Sequence, residues 1–279
     1  MEITQLIDGV DFGEGPRWRD GLLWYSDFYQ GRVYTVTAEG ERSVVVELDD
    51  QPSGLGWLPD GRLLVVAMTA QRLLVVDGTE VAVHAELGEL AGGLCNDMVV
   101  DEGGTAWVGN FGFDFQGGDE LAPTRMIRVR PDGSAAPVGD DLLFPNGAVI
   151  TPDGNTLIVG ETFGARYSAF EIGADGELGS RRTWAEVPGS APDGCTLDAE
   201  GAIWFADAAN SRLVRVAEGG EVLAEVETPE QCFCCMLGGP DLKTLYFMTA
   251  PGSHPDDVAG RAGGAIWSLE APAPRSGRP

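Results

Sequence analysis

Four side chains with hard oxygen donors stand at one place in a series of related segments. They are Glu14 in EGPRWRDGLLWYSD, Asn96 in NDMVVDEGGTAWVGN, Asn146 in NGAVITPDGNTLIVGE and Asp193 in DGCTLDAEGAIWFAD. Two further segments, SGLGWLPDGRLLVVA and CCMLGGPDLKTLYFMT, put Ser53 and Cys234 at that place. Two carboxylates and two amide carbonyls, completed by water or substrate, suit Ca²⁺ or another oxygen-seeking divalent ion, with Mg²⁺, Mn²⁺, Fe²⁺ and Zn²⁺ as alternatives. Asn, Asp and Ser before Gly are also ordinary turn residues. Glu14 is a poor turn former, however, and four oxygen ligands at equivalent places exceed what turns require, so a metal site is the favoured reading. A second set, Asp27, Ala67, Asn110, Glu161, Asp207 and Thr249, ends the strand that follows. Its members either orient the ligands of such a site or cap strand ends.

The elements that must position these residues are strands. Helical periodicity is scarce, and runs such as GLLWYSD, GRLLVVA, TAWVGN, TLIVGE, AIWFAD and TLYFMT recur between Gly-rich turns, the pattern of an all-β domain. The segment starts lie 39, 43, 50, 47 and 41 residues apart, a spacing that fits four strands and their turns. Six copies predict a six-bladed β-propeller over residues 1–270, in which the innermost strands converge on a central channel. The segment around Ile3 to Ile7 is expected to close the last blade, and APAPRSGRP, residues 271–279, reads as a disordered tail. In this register Pro152 to Gly154 is a hairpin turn, whereas the similar Pro145 to Gly147 opens an innermost strand.

Composition narrows the function. With 44 acidic against 18 basic residues the formal charge is −26, which argues against nucleic acid and anionic membranes as partners. MEITQLIDGV has no basic region followed by an apolar one, so cytoplasmic residence is the expectation. Five cysteines, three of them Cys232, Cys234 and Cys235, read as reduced and buried rather than as a disulfide framework. The two histidines, His84 and His254, leave little room for a Ser-His-Asp triad, and GxSxG, GxGxxG and P-loop motifs are absent.

The motifs GEGPRW at Gly13, CNDM at Cys95, FPNG at Phe144, APDGCTLDAEGAIWFAD at Ala191 and LGGPDLKTLYFMTA at Leu237 span nearly the whole chain. Together they resemble the senescence marker protein, regucalcin and gluconolactonase family of six-bladed propellers, related to diisopropyl fluorophosphatase. The resemblance implies that Glu14, Asn146 and Asp193 are metal ligands, and that Asn96 is a fourth ligand or a substrate contact. One departure stands out. Sugar lactonases of this group resemble R-x-N-D at the third repeat, where the arginine contacts a polar substrate; here the position is Leu94, followed by Cys95, Asn96 and Asp97. Met98 replaces a commonly small residue. Both changes point away from aldonolactones.

The third repeat carries the insertion NFGFDFQGGDELAP, in which Phe111, Phe113 and Phe115 alternate; it either shapes a pocket or packs upon itself. Phe163, Phe233 and Met236 are further candidates for an apolar wall. The leading expectation is a metal-dependent hydrolase of a small, fairly apolar lactone or ester, with Asp193 as base or nucleophile and Glu14 as a fixed ligand. In a variant of this scheme Asp193 only ligates, and Asp97 or solvent accepts the proton. Phosphotriester hydrolysis on the same platform and a non-catalytic calcium-binding or interaction propeller are the alternatives.

Overall fold

In the computed structural model, which describes residues 1–279, the chain forms six four-stranded antiparallel sheets. The first five take their strands in chain order, so each blade runs from the channel outward. Blade one spans Gly13–Arg19 to Arg42–Glu47, blade two Pro52–Trp57 to Glu80–Glu86, and blade three Cys95–Val100 to Ala135–Leu142. Blade four runs from Pro145–Ile150 to Arg182–Glu186 and blade five from Pro192–Leu197 to Val222–Glu227. The sixth orders Gln231–Gly238, Thr244–Ala250, Gly264–Glu270 and then Thr4–Val10 from the other end of the chain. The expected closing strand is therefore present, and the ring is shut between the first and last segments of the propeller.

Burial follows from this geometry. Innermost strands are covered by the neighbouring blades on both sides, and PNGAVI of blade four is buried at every residue. Outer strands alternate or open to solvent, as in EVAVHAE of blade two, where His84 lies near the Arg130 carbonyl. The apolar clusters fill the wedges between blades: Val149, Ile158 and Tyr167 of blade four pack against Cys195, Leu197 and Phe205 of blade five. Gly147 shows how close the inner strands come, since a Cβ there would lie 2.4 Å from the Asp193 carbonyl oxygen. Pro152 to Gly154 is the hairpin turn expected, with Gly154 at φ +73° and its N–H donating to Thr151 O.

The tail departs from expectation. Residues 271–279 are not loose: Arg275 N–H donates to Leu242 O, Ser276 N–H to Leu197 O, and Arg278 exchanges backbone hydrogen bonds with Ile150. Ala271 and Ala273 are buried. A proline- and arginine-rich composition concealed this order, which comes from backbone pairing with the ends of three blades. The single helix, Pro255–Val258, is one turn capped by His254, and no helix is long and apolar enough to cross a membrane.

Candidate active site

The first two strands of every blade slip register once, and the slips fall at equivalent places. In blades one to five one inner-strand residue pairs with the last residue of the second strand, Gly13 with Asp27, Pro52 with Ala67, Cys95 with Asn110, Pro145 with Glu161 and Pro192 with Asp207, and in blade six Cys232 pairs with the next-to-last, Thr249. The register shift follows within the next few residues. A bulge bends the strand and re-aims the side chain it carries. The residues just after these pairs are Glu14, Ser53, Asn96, Asn146, Asp193 and Phe233. Five agree with the repeat read from the sequence; the sixth is Phe233 instead of Cys234. The sixth inner strand is eight residues long against six in blades two to five, so counting back from its hairpin lands one residue late. Cys234 is buried in the wedge between blades six and one, its thiol near Gly13 O.

Glu14, Asn96, Asn146 and Asp193 line a single pocket at this mouth of the channel, and each is nearly inaccessible. Burial, and then the charges of Asp193 and Asp97, hold the Glu14 carboxyl well above its ordinary pKa against the Gly15 N–H and Arg17. Burial and then Asp97 do the same to Asp193, against Gly194 N–H and Asn146. Asp97 itself is ion-paired: Arg17 Nη2 donates to its Oδ1 at 2.6 Å. Were all three ionised, as a bound cation would favour, these carboxylates against one guanidinium would carry two uncompensated negative charges on the axis. Two amide atoms are also unsatisfied, since Asn146 Oδ1 and Asn96 Nδ2 are buried without a partner while Asn146 Nδ2 donates to Thr162 Oγ1. An amide flip would present the Asn96 oxygen instead. No three His, Cys, Asp or Glu side chains gather closely enough to hold a metal by themselves. Two carboxylates plus the orphaned Asn146 oxygen, joined by the Asn96 oxygen after a flip, do suit a divalent ion of oxygen preference, whose charge would match the two carboxylates once ionised.

Four of the second set resolve as caps of the loops that enter their inner strands, while Thr249 accepts from Trp267 Nε1 within blade six. Asp27 accepts N–H bonds from Asp11 and Phe12, Asn110 from Gly92, Glu161 from Leu143 and Asp207 from Ala191. None of them touches the four polar residues of the pocket. Where blade two has Ala67, Asp50 accepts from Thr69 and Ala70 instead. Burial pushes the Asp27 carboxyl up to about 6. At Glu161 burial acts in the same direction, but hydrogen bonds from Arg166, Ser168 and Leu143 outweigh it and hold the carboxyl low.

The walls of the pocket come from two more repeat positions. Side chains two apart on a strand share a face, and the residues two before the corrected set are Phe12, Gln51, Leu94, Phe144, Ala191 and Gln231; all six line the pocket. The residues that directly follow the second strands of blades one to five, Phe28, Met68, Phe111, Thr162 and Ala208, line it as well. The cavity is about 240 Å³. Its bulky apolar residues lie on blades one to four, together with Phe233 of blade six, while Ala191, Ala208 and Ala209 leave room beside Asp193.

Three expectations about the wall need correction. Met98 is fully buried in the wedge between blades two and three, and Met236 between blades six and one. Phe113 stands behind the wall, packed on Phe115, Phe144 and Phe163. The bulge is the reason for Met98: two residues past Asn96 it would share that face by alternation, but the register shift between Cys95 and Met98 intervenes and turns it into the wedge. Phe163 and Leu94 do line the pocket, and Phe115 and Phe163 remain 47% and 42% exposed at its rim.

Residues 12–251 match the family model described as SMP-30/Gluconolactonase/LRE-like region. The chain belongs to this family. Among curated relatives, a pentonolactonase of Haloferax volcanii is 28% identical over 100% of this chain and 97% of its own. A 6-deoxy-6-sulfogluconolactonase of Pseudomonas putida is 26% identical over 85% of this chain and 83% of its own. Among solved structures, the calcium-binding protein regucalcin of Agrobacterium tumefaciens is 25% identical, covers 98% of this chain and 94% of its own, and superposes with a TM-score of 0.81.

Proposed function

We propose that the protein is a divalent-metal-dependent hydrolase of a small lactone or ester less polar than an aldonolactone. The observation that carries this reading is the contrast within one pocket, a floor of four oxygen-bearing side chains under walls of Phe12, Phe28, Met68, Leu94, Phe111, Phe144, Phe163 and Phe233. Membership of a gluconolactonase-like family, with relatives named for pentonolactone and sulfogluconolactone hydrolysis, supports lactone chemistry. The apolar walls support a substrate with fewer hydroxyls, because each hydroxyl buried there without a partner costs binding energy.

Glu14, Asn146 and Asp193, with Asn96 as a fourth ligand or substrate contact, are the residues that would hold the ion. When bound, such an ion supplies positive charge that polarises a carbonyl oxygen and favours the ionised carboxylates around it. Calcium is the ion whose ligand preferences this donor set matches best. Asp193 is the group placed to act on the substrate. It borders the roomy side of the pocket, whereas Asp97 is committed to Arg17. As base, Asp193 takes a proton from water as the water oxygen bonds to the acyl carbon; the acyl carbon to ring-oxygen bond then breaks, and the ring oxygen receives that proton from Asp193 and leaves as a hydroxyl. The phenylalanine walls hold the apolar part of the substrate and exclude competing water.

Proton release from a panel of sugar, aliphatic and aromatic lactones tests the proposal, using chelated protein and the same protein after adding Ca²⁺, Mn²⁺ or Zn²⁺. Metal-restored turnover that favours the apolar lactones is expected. Turnover indifferent to chelation would remove the metal, a preference for sugar lactones would remove the substrate assignment, and silence throughout would remove lactone hydrolysis.

A further inference from the structure

The other end of the channel holds a second cavity, of about 420 Å³. The inner strands of blades one, two and three end there on Arg19, Trp57 and Val100, and the tail closes it from below with Arg275 and Arg278. In this acidic chain most arginines are ion-paired, and Arg17 and Arg19 at this cavity are held by Asp97 and Asp20. The two tail arginines are not. Arg275 donates from Nη1 to Trp18 O at 3.0 Å and has no carboxylate partner; burial, and then the neighbouring charge of Arg278, hold its pKa below the ordinary arginine value. The Arg278 side chain makes no hydrogen bond, although its backbone is fixed by the two bonds to Ile150. Asp101 and Glu102 also line the cavity, but Asp101 accepts from Thr105 N–H and neither forms an ion pair with Arg275 or Arg278.

Arg275, half-buried, and Arg278, exposed, lie near each other on the wall of this cavity, and neither guanidinium is in an ion pair, so most of their donors are uncommitted. Guanidinium groups match the oxygens of phosphate and carboxylate with paired N–H donors. We propose that this cavity is a binding site for a small oxyanion, phosphate or carboxylate, held between Arg275 and Arg278 at the end of the channel opposite Asp193. The site is independent of the metal and lactone reading, since it shares no lining residue with the other pocket.

Isothermal titration of the full chain with inorganic phosphate, and separately with succinate, tests this and tells the two chemistries apart. Saturable binding of at least one is expected at millimolar concentration or below. It should weaken at least tenfold in Arg278→Ala, which leaves the backbone bonds to Ile150 in place, and in Arg275→Gln, while Asn146→Ala leaves it unchanged. Binding lost in Asn146→Ala but kept in Arg278→Ala would assign the anion to the other mouth and overturn the proposal. Absence of saturable binding by either anion would overturn it equally.

Discussion

Arg17 Nη2 lies 2.6 Å from Asp97 Oδ1, joining blade one to blade three between the two cavities of the channel. The remaining donors of Arg17 are also used: Nε donates to Leu55 O at 2.9 Å and Nη1 to Pro16 O at 2.8 Å. Both side chains are about 5% exposed, so the pair is a buried one. Removing one partner of such a pair strands the other charge, at a cost of about 3–5 kcal/mol. Arg17→Met is therefore expected to lower the unfolding free energy by that amount, and Arg17→Met with Asp97→Asn by clearly less. Equal losses in the single and double variants, measured by urea unfolding, would show that the pairing itself contributes nothing.

Asp193→Ala and Asn146→Ala are expected to abolish lactone turnover, by about 10²–10⁴-fold or more for loss of the base. Neither side chain belongs to an apolar wedge, so the thermal midpoint of chelated protein should stay near that of the parent. Full activity in both purified variants would remove the assigned roles.

How much of this was readable beforehand follows from what each residue does. The blade count was legible because every second strand is a compact apolar run, and in four blades it ends on a polar residue, Asp27, Asn110, Glu161 or Asp207, that bonds the loop entering its own blade. Glu14, Asn96, Asn146 and Asp193 were legible because a bulge recurs at the same count in each inner strand. The sixth ring position fell on Cys234 instead of Phe233 because that inner strand is eight residues long against six in blades two to five, with one of the added residues beyond Phe233. The wall residues Phe12, Phe28, Met68 and Phe144 were missed although the signal was present, two before the corrected set or one after the second strand. The tail was not legible, since its order depends on carbonyls of Leu242, Leu197 and Ile150 that no local pattern announces.

The raised pKa values of Glu14 and Asp193 have a definite sign. Without metal the folded chain keeps protons that the unfolded chain has already lost, so this contribution is complete at or below the ordinary carboxyl pKa and declines as pH rises through the raised values. A cation competes with the same protons, so its stabilisation grows with pH. Chelated protein is expected to lose thermal stability as pH is raised through neutrality, Ca²⁺ to restore it most at the alkaline end, and Asp193→Asn to flatten the chelated slope. Asp27, pushed up to about 6 by burial, gives a slope of the same sign that is finished below neutrality, so the comparison belongs above it. A level profile in chelator would contradict the buried carboxylate cluster.

Leu94 is the residue through which substrate preference should be altered. It stands two positions before Asn96, lines the pocket, and packs with Phe12, Phe28, Met68 and Phe233. Leu94→Arg would place a guanidinium with free donors among these rings, where hydroxyls of a sugar lactone could bind it and an alkyl substituent could not. One added or lost hydrogen bond to a charged group is worth about 1.5–3 kcal/mol. The ratio of kcat/KM for a pentonolactone to that for an alkyl-substituted lactone should therefore rise by about tenfold or more. Because the arginine also disturbs apolar packing, Leu94→Gln serves as a second variant with a smaller shift in the same direction. A fall in both rates with an unchanged ratio would mean that Leu94 supports the wall without choosing the substrate.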